Sequence, residues 1–190
     1  MNKYTIEQSG RSMIEMLGVL AIVGVLSVAG IAGYSKAMAK YKTNKVVDQV
    51  TMTAANIRTT FAGQGNYKDL TTDVAHSLGL FPEEMDKDYK SSNKVVKNAM
   101  GGAVEVSIGN DTYSFDVQFA GLSKDACSTL VTADWGSASG FLGFTGSLKA
   151  ETVKTGAGVA DLASGVVGVV SSLCGCSSTE NTCSLIWRFK

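Results

Sequence analysis

Histidine and proline each occur once in the 190 residues, at His76 and Pro82, and the 17 Lys and Arg form no basic run and are balanced by 17 Asp and Glu. Nucleic-acid binding rests on clustered cations that neutralise phosphates, so this charge pattern gives it no footprint. A lone His76, with no carboxylate or Cys beside it in sequence, offers little for imidazole acid–base or metal chemistry. Paired carboxylates, a nucleophile elbow and a phosphate loop are missing too. Gly156-Ala157-Gly158 is a fragment of a Gly-rich loop without the third Gly at the required spacing. The expectation is a protein that is not an enzyme, holds no cofactor or metal and binds no nucleic acid. Charge is scarce overall: 18% charged against 45% apolar residues excludes intrinsic disorder, and the length suits one packed domain.

What is present begins with an uncharged run, Met16 to Ser35, set between Glu15 and Lys36. As a helix it spans about 30 Å, one bilayer core. Gly18, Gly24, Gly30 and Gly33 recur in it, and small residues let membrane helices approach closely, so the run can pack against copies of itself. The alternative is a cleavable secretory signal, with Lys3 and Arg11 as its basic region and Ser27-Val28-Ala29 as a small-x-small cleavage site. Glu15 inside the apolar stretch, and a helical pattern that runs on past Ala29, weigh against it. An ionised Glu15 in hydrocarbon costs at least about 2.5–3.5 kcal/mol. It either reaches the interface or Arg11 one turn earlier, or it has a partner in another molecule.

The residues ahead of this run are Gln8-Ser9-Gly10-Arg11-Ser12-Met13-Ile14-Glu15-Met16. A short hydrophilic leader ending in Gly, a few mostly apolar residues, Glu at the fifth position after the Gly and a long apolar helix together resemble the processing site of type IV prepilins. The resemblance implies that residues 1–10 are a leader, cut between Gly10 and Arg11 by a membrane prepilin peptidase that also methylates the new amino terminus of Arg11. Arg11 departs from the Phe or Met usual there. It further implies that Glu15 neutralises the free amino terminus of a neighbouring subunit in a filament core. Such a pair acts as a register device, because a subunit displaced along the axis leaves both charges unpaired in an apolar medium.

Beyond Ser35 the helical pattern continues, with Ala39, Val46, Val50, Ala54, Ile57 and Phe61 spaced by three, four and seven. One helix of about fifty residues, roughly 75 Å, is expected from Ser12 to Ala62, stopping at Gly63-Gln64-Gly65-Asn66. Residues 11–35 are its membrane-spanning half and residues 36–62 its amphipathic half. Lys36, Lys40, Lys42, Lys45, Asp48 and Arg58 lie on the polar face, either solvated or meeting other subunits. Residues 63–190 form the head. There a short helix is expected at Thr72–Leu78, capped by Thr71 or Thr72 and stopped by Gly79, and Pro82 opens the next turn. Val104, Val106 and Ile108, a Gly109-Asn110-Asp111 turn, then Tyr113, Phe115, Val117 and Phe119 read as a hairpin, with Ser114, Asp116 and Gln118 on the other face. Ser123 caps a helix to Val131, Phe141–Leu148 and Leu185–Phe189 read as strands, and Val159–Leu173 as a helix too short and polar to span a membrane. The expected fold is α+β: a long N-terminal helix on an antiparallel sheet, with a disulfide-tied C-terminal region over residues 127–183.

All four cysteines, Cys127, Cys174, Cys176 and Cys183, follow the apolar run, on the side an oxidising compartment would pair. A four-thiolate zinc site is the alternative, but the one-residue gap between Cys174 and Cys176 does not suit structural zinc. Four cysteines allow three pairings. The segment Gly121 to Leu130 resembles that holding the first Cys of type IVb pilins, which include the bundle-forming and toxin-coregulated pilins. By that resemblance Cys127–Cys176 with Cys174–Cys183 is favoured, and Cys127–Cys174 with Cys176–Cys183 stays open. The implied function is structural: a type IVb-like major pilin held by one span in the inner membrane, then extracted by an assembly platform with a cytoplasmic ATPase into an extracellular homopolymer for adhesion, aggregation, conjugation or motility. A type II secretion pseudopilin or minor pilin is the near rival. A singly anchored periplasmic or surface binding protein, which keeps its leader and does not polymerise, is the rival of another class.

Overall fold

The computed structural model describes residues 9–89, 94–136, 140–145, 154–155, 174–176 and 182–190. The chain divides into two compact units, Met1–Lys40 and Tyr41–Lys190. The first helix, α1 (Ser9–Phe61), is 53 residues long. From Met13 to Lys42 every side chain is exposed.

In the second unit, α1 turns one stripe inward. Val46, Val50, Ala54, Ile57 and Phe61 join one buried cluster with the strand residues Val104, Val106, Phe115, Val117, Phe119, Leu185 and Trp187. The spacing of three and four brings these side chains to one face of the helix, as expected. Ala39 does not join them: it is exposed, and the buried stripe starts at Thr43.

The helix α2 (Thr72–Ser77) has the expected ends. The Thr71 side chain accepts from the Val74 amide at 3.2 Å, supplying one of the orphan donors of the first turn. At the other end Gly79 adopts φ +64°, and the amides of Gly79 and Leu80 donate back to His76 and Ala75. That pair of bonds closes the helix through a left-handed residue, a conformation glycine takes without steric cost. Pro82 then leads into α3 (Glu83–Asp86).

The sheet is antiparallel. Its strands are β1 (Val96–Lys97), β2 (Ala103–Ile108), β3 (Phe115–Leu122), β4 (Phe141–Thr145), β5 (Lys154–Thr155), β6 (Gly175–Cys176) and β7 (Cys183–Phe189). Their order is β1-β2-β3-β7-β4-β5, with β6 also paired to β7. The hairpin pairs Val104 with Phe119, Val106 with Val117 and Ile108 with Phe115. Its loop is longer than the expected turn and runs through Ser114, so Tyr113 is exposed rather than on the core face. The Tyr113 amide donates to Asp111 Oδ1 at 2.9 Å, an Asx turn that draws this residue out of the strand.

The last strand, β7, lies between β3 and β4. Trp187 packs edge-on to Phe119 and Trp135, and Phe189 stacks on Phe115. The helix α4 (Lys124–Thr132) is capped by Ser123, whose hydroxyl accepts from the Ala126 amide at 3.2 Å. It buries Ala126, Cys127, Leu130 and Val131. Residues 146–148 of the expected Phe141–Leu148 strand, and the whole expected helix Val159–Leu173, lie outside the described residues. The two-residue strands β1, β5 and β6 were not expected, being too short to carry a period.

Candidate functional site

Two parts of the molecule carry chemistry: the apolar surface of α1 and the ties that hold the head together. On α1, the backbone is helical through Gly10 and Arg11, where the expected cleavage bond lies. Glu15 is exposed, and its neighbours Met13, Ile14, Met16 and Leu17 are 60–75% exposed. Ser27 and Ser35 donate their hydroxyls to the Val23 and Ile31 carbonyls at 2.7 and 2.9 Å. This internal bonding leaves the serines compatible with an apolar surrounding. A Cβ placed at Gly18, Gly24, Gly30 or Gly33 would meet no atom within 4 Å, so these positions leave shallow openings where a second backbone can come close. The helix is long and apolar enough to cross a membrane.

In the head, polar side chains bind α1 to the segment that follows it. Lys45 Nζ lies 2.7 Å from Glu84 Oε1. Gln49, buried, accepts from the Ala99 amide at 2.9 Å and donates to Glu84 at 3.4 Å, and Asn56 Nδ2 donates to the Leu80 carbonyl at 2.9 Å. Lys45 is therefore a tie within the head, not the solvated or subunit-facing cation expected. Arg58 reaches the Tyr67 phenol, which burial pushes up in pKa while Arg58 opposes that shift. Buried Asn98 accepts from the amides of Met100 and Gly102 and donates to the Ala120 carbonyl, pinning the turn between β1 and β2 to β3 at the point where the pairing of β3 with β7 shifts register. Gly102 is required there, since a Cβ would lie 1.9 Å from the Ala120 oxygen.

His76 is engaged structurally. Its Nδ1 lies 2.7 Å from Asp86 Oδ1 and its ring stacks on Tyr89 at 3.6 Å. Tyr89 donates to Asp73 Oδ1 at 2.5 Å and Lys94 to Asp73 Oδ2 at 2.9 Å. Among the described residues no cluster of three His, Cys, Asp or Glu is placed to hold a metal. The hydrogen bond from Tyr89, then that from Lys94, holds the Asp73 carboxyl below the ordinary carboxylate range, and the bond from Lys45 does the same for Glu84. Folded values below unfolded ones mean that this stabilisation is complete above about pH 4 and is lost as pH falls through the folded values. Amide protection over residues 72–89 is expected to drop as pH falls below about pH 4, before that of the sheet, as read by hydrogen exchange. In Asp73→Asn with Glu84→Gln that early step should vanish. If it persists, other groups set the acid response.

The disulfides are Cys127–Cys174 and Cys176–Cys183. This corrects the favoured pairing of Cys127 with Cys176. Cys176 is the direct cross-strand partner of Cys183 between β6 and β7, so those two cysteines face each other, and Cys174 bonds Cys127 on α4. Sequence reasoning also missed a buried ion pair. Asp116 on β3 and Arg188 on β7 are register partners, with Nε–Oδ1 and Nη2–Oδ2 both at 2.6 Å and side chains 0% and 1% exposed. Alternation assigned Asp116 to the face opposite Phe115 and Val117, and no sequence signal brought it to Arg188.

A long apolar helix leading into an antiparallel head tied by two disulfides fits the pilin class of proteins. The PilS N terminal family, a family related to type IV pili, matches residues 40–186, and the chain belongs to it. No curated protein matches the chain.

Proposed function

We propose that the chain is a structural, non-enzymatic subunit of a type IV pilus of the IVb kind. It is processed between Gly10 and Arg11, anchored in the inner membrane by α1 and then polymerised through that helix into an extracellular filament. The observation that carries this reading is the unbroken exposed surface from Met13 to Tyr41, with a carboxylate, Glu15, set inside it. Lipid can cover such a surface, but lipid leaves Glu15 at a cost of about 2.5–3.5 kcal/mol. Copies of the same helix can cover the surface and, once the leader is gone, supply the charge. Membership of a pilus-related family supports the same reading. The partners are then other copies of the chain, a prepilin peptidase, and an inner-membrane platform driven by a cytoplasmic ATPase. The filament serves adhesion, aggregation, conjugation or motility.

The test is the amino-terminal sequence and intact mass of the protein from cells, measured without reductant. The expected result is a start at Arg11 with one added methyl group and four missing hydrogens. A start at Met1 would make α1 a mere anchor and sink the proposal. A start at Gly30 would make the apolar run a discarded secretory signal.

A further inference from the structure

We propose that the buried Asp116–Arg188 ion pair selects which disulfide isomer the head forms, by fixing the register of β7. The inward face of β7 reads Cys183, Leu185, Trp187, Phe189, and all four belong to the core. A one-residue slip would bring Arg188 onto the core face and is excluded, but a two-residue slip still fills the places of Leu185, Trp187 and Phe189 with the apolar Cys183, Leu185 and Trp187, while Asn181 takes that of Cys183. The cysteines are spaced by the same two residues. In the observed register Gly175 pairs with Ser184 and Cys176 with Cys183, which sets Cys174 level with Leu185. Moving Cys183 into the place of Leu185 brings it level with Cys174 and leaves Cys176 to Cys127. The slipped register is therefore the other disulfide isomer. The connection between the bonded cysteines lengthens from six residues to eight, which changes loop-closure entropy little.

The two registers also differ in charge. β3 and β7 pair Phe115 with Phe189, Asp116 with Arg188 and Val117 with Trp187. After the slip Ile186 faces Asp116, and Arg188 lies opposite Ser114, itself buried. Arg188 then takes the exposed place of Lys190, and Asp116 is left buried without its cation, the condition under which a buried pair is most costly to break. Aligning Asp116 with Arg188 thus places Cys183 against Cys176 before either sulfur is oxidised. Register control is the best-attested use of a buried polar pair, and here a covalent bond records its outcome.

The experiment uses the full chain in detergent, reduced, denatured and reoxidised in glutathione buffer. Pairing is mapped by partial reduction and cyanylation, because only Gly175 separates Cys174 from Cys176. Wild type is expected to yield mainly Cys176–Cys183. Asp116→Leu with Arg188→Met removes both charges without orphaning one, and should lower the ratio of Cys176–Cys183 to Cys174–Cys183 at least tenfold. Asp116→Ser with Ser114→Asp moves the carboxylate to the slipped partner and should make Cys174–Cys183 the major bond. A wild-type ratio in the apolar pair overturns the proposal. So does an equal yield of all three pairings, Cys174–Cys176 included, because loss of fold rather than register would then be in control.

Discussion

Replacing Arg188 with methionine is expected to destabilise the head by about 3–5 kcal/mol, a large part of the stability of a typical domain. The methionine can fill the space of the aliphatic stem, so little packing is lost. The cost arises from Asp116, which stays at 0% exposure with its two 2.6 Å bonds removed and no water to replace them. Asp116→Leu together with Arg188→Met should lie within about 1 kcal/mol of wild type or above it, because a buried pair replaced by apolar groups of similar volume gives up both charges and both desolvation penalties. Denaturant unfolding of the full chain in detergent, followed by the fluorescence of Trp135 and Trp187, measures both. The difference between single and double variants is the decisive quantity. If the single variant is as mild as the double, Asp116 is reaching solvent. Lys45→Gln provides the contrast: its pair with Glu84 is 33% and 40% exposed, and exposed pairs contribute about 1 kcal/mol or less.

That contrast also marks where sequence reading succeeds and where it stops. Local rules found α2 with its Thr71 cap and Gly79 stop, the Ser123 cap of α4, the inward stripe of α1 and the alternating hairpin, since each is written within a few residues. The candidate residues of α1, namely Gly10, Arg11, Glu15 and the apolar run, could be nominated from sequence because they lie close together in it. Contacts between distant segments were not legible. Asp116 and Arg188 are 72 residues apart, and alternation told only that Asp116 lies on the face opposite Phe115 and Val117. Cys174 and Cys176 are equivalent by composition and nearly so by distance along the chain. Only the pairing of β6 with β7 distinguishes them, and a two-residue strand has no period to read. Tyr113 failed through turn chemistry, because Asp111 bonds its amide and lengthens the loop.

Glu15→Gln is expected to leave processing intact and reduce the yield of filaments at least tenfold. Glutamine keeps the size and removes the charge, so the monomer in its membrane is relieved of a cost, and a start at Arg11 should still be found. The loss falls on assembly. Each incoming amino terminus would enter an apolar core without a counter-charge, at about 2.5–3.5 kcal/mol on the scale for membrane interiors. At 1.4 kcal/mol per tenfold, that weakens each addition by roughly 60- to 300-fold. Glu15→Asp retains the charge one methylene short and should fall between the two. The measurement is the quantity of sheared surface filament against total processed subunit in the same cells. A correctly formed Cys176–Cys183 bond in each variant serves as the control that the head is folded. Wild-type filament yield from Glu15→Gln would sink the pairing and leave Glu15 as a carboxylate that snorkels to the membrane surface. A failure of cleavage in that variant would instead place Glu15 among the groups the peptidase reads. Glu15→Asp separates these outcomes, because an electrostatic pair tolerates a shortened carboxylate far better than a fully neutral amide.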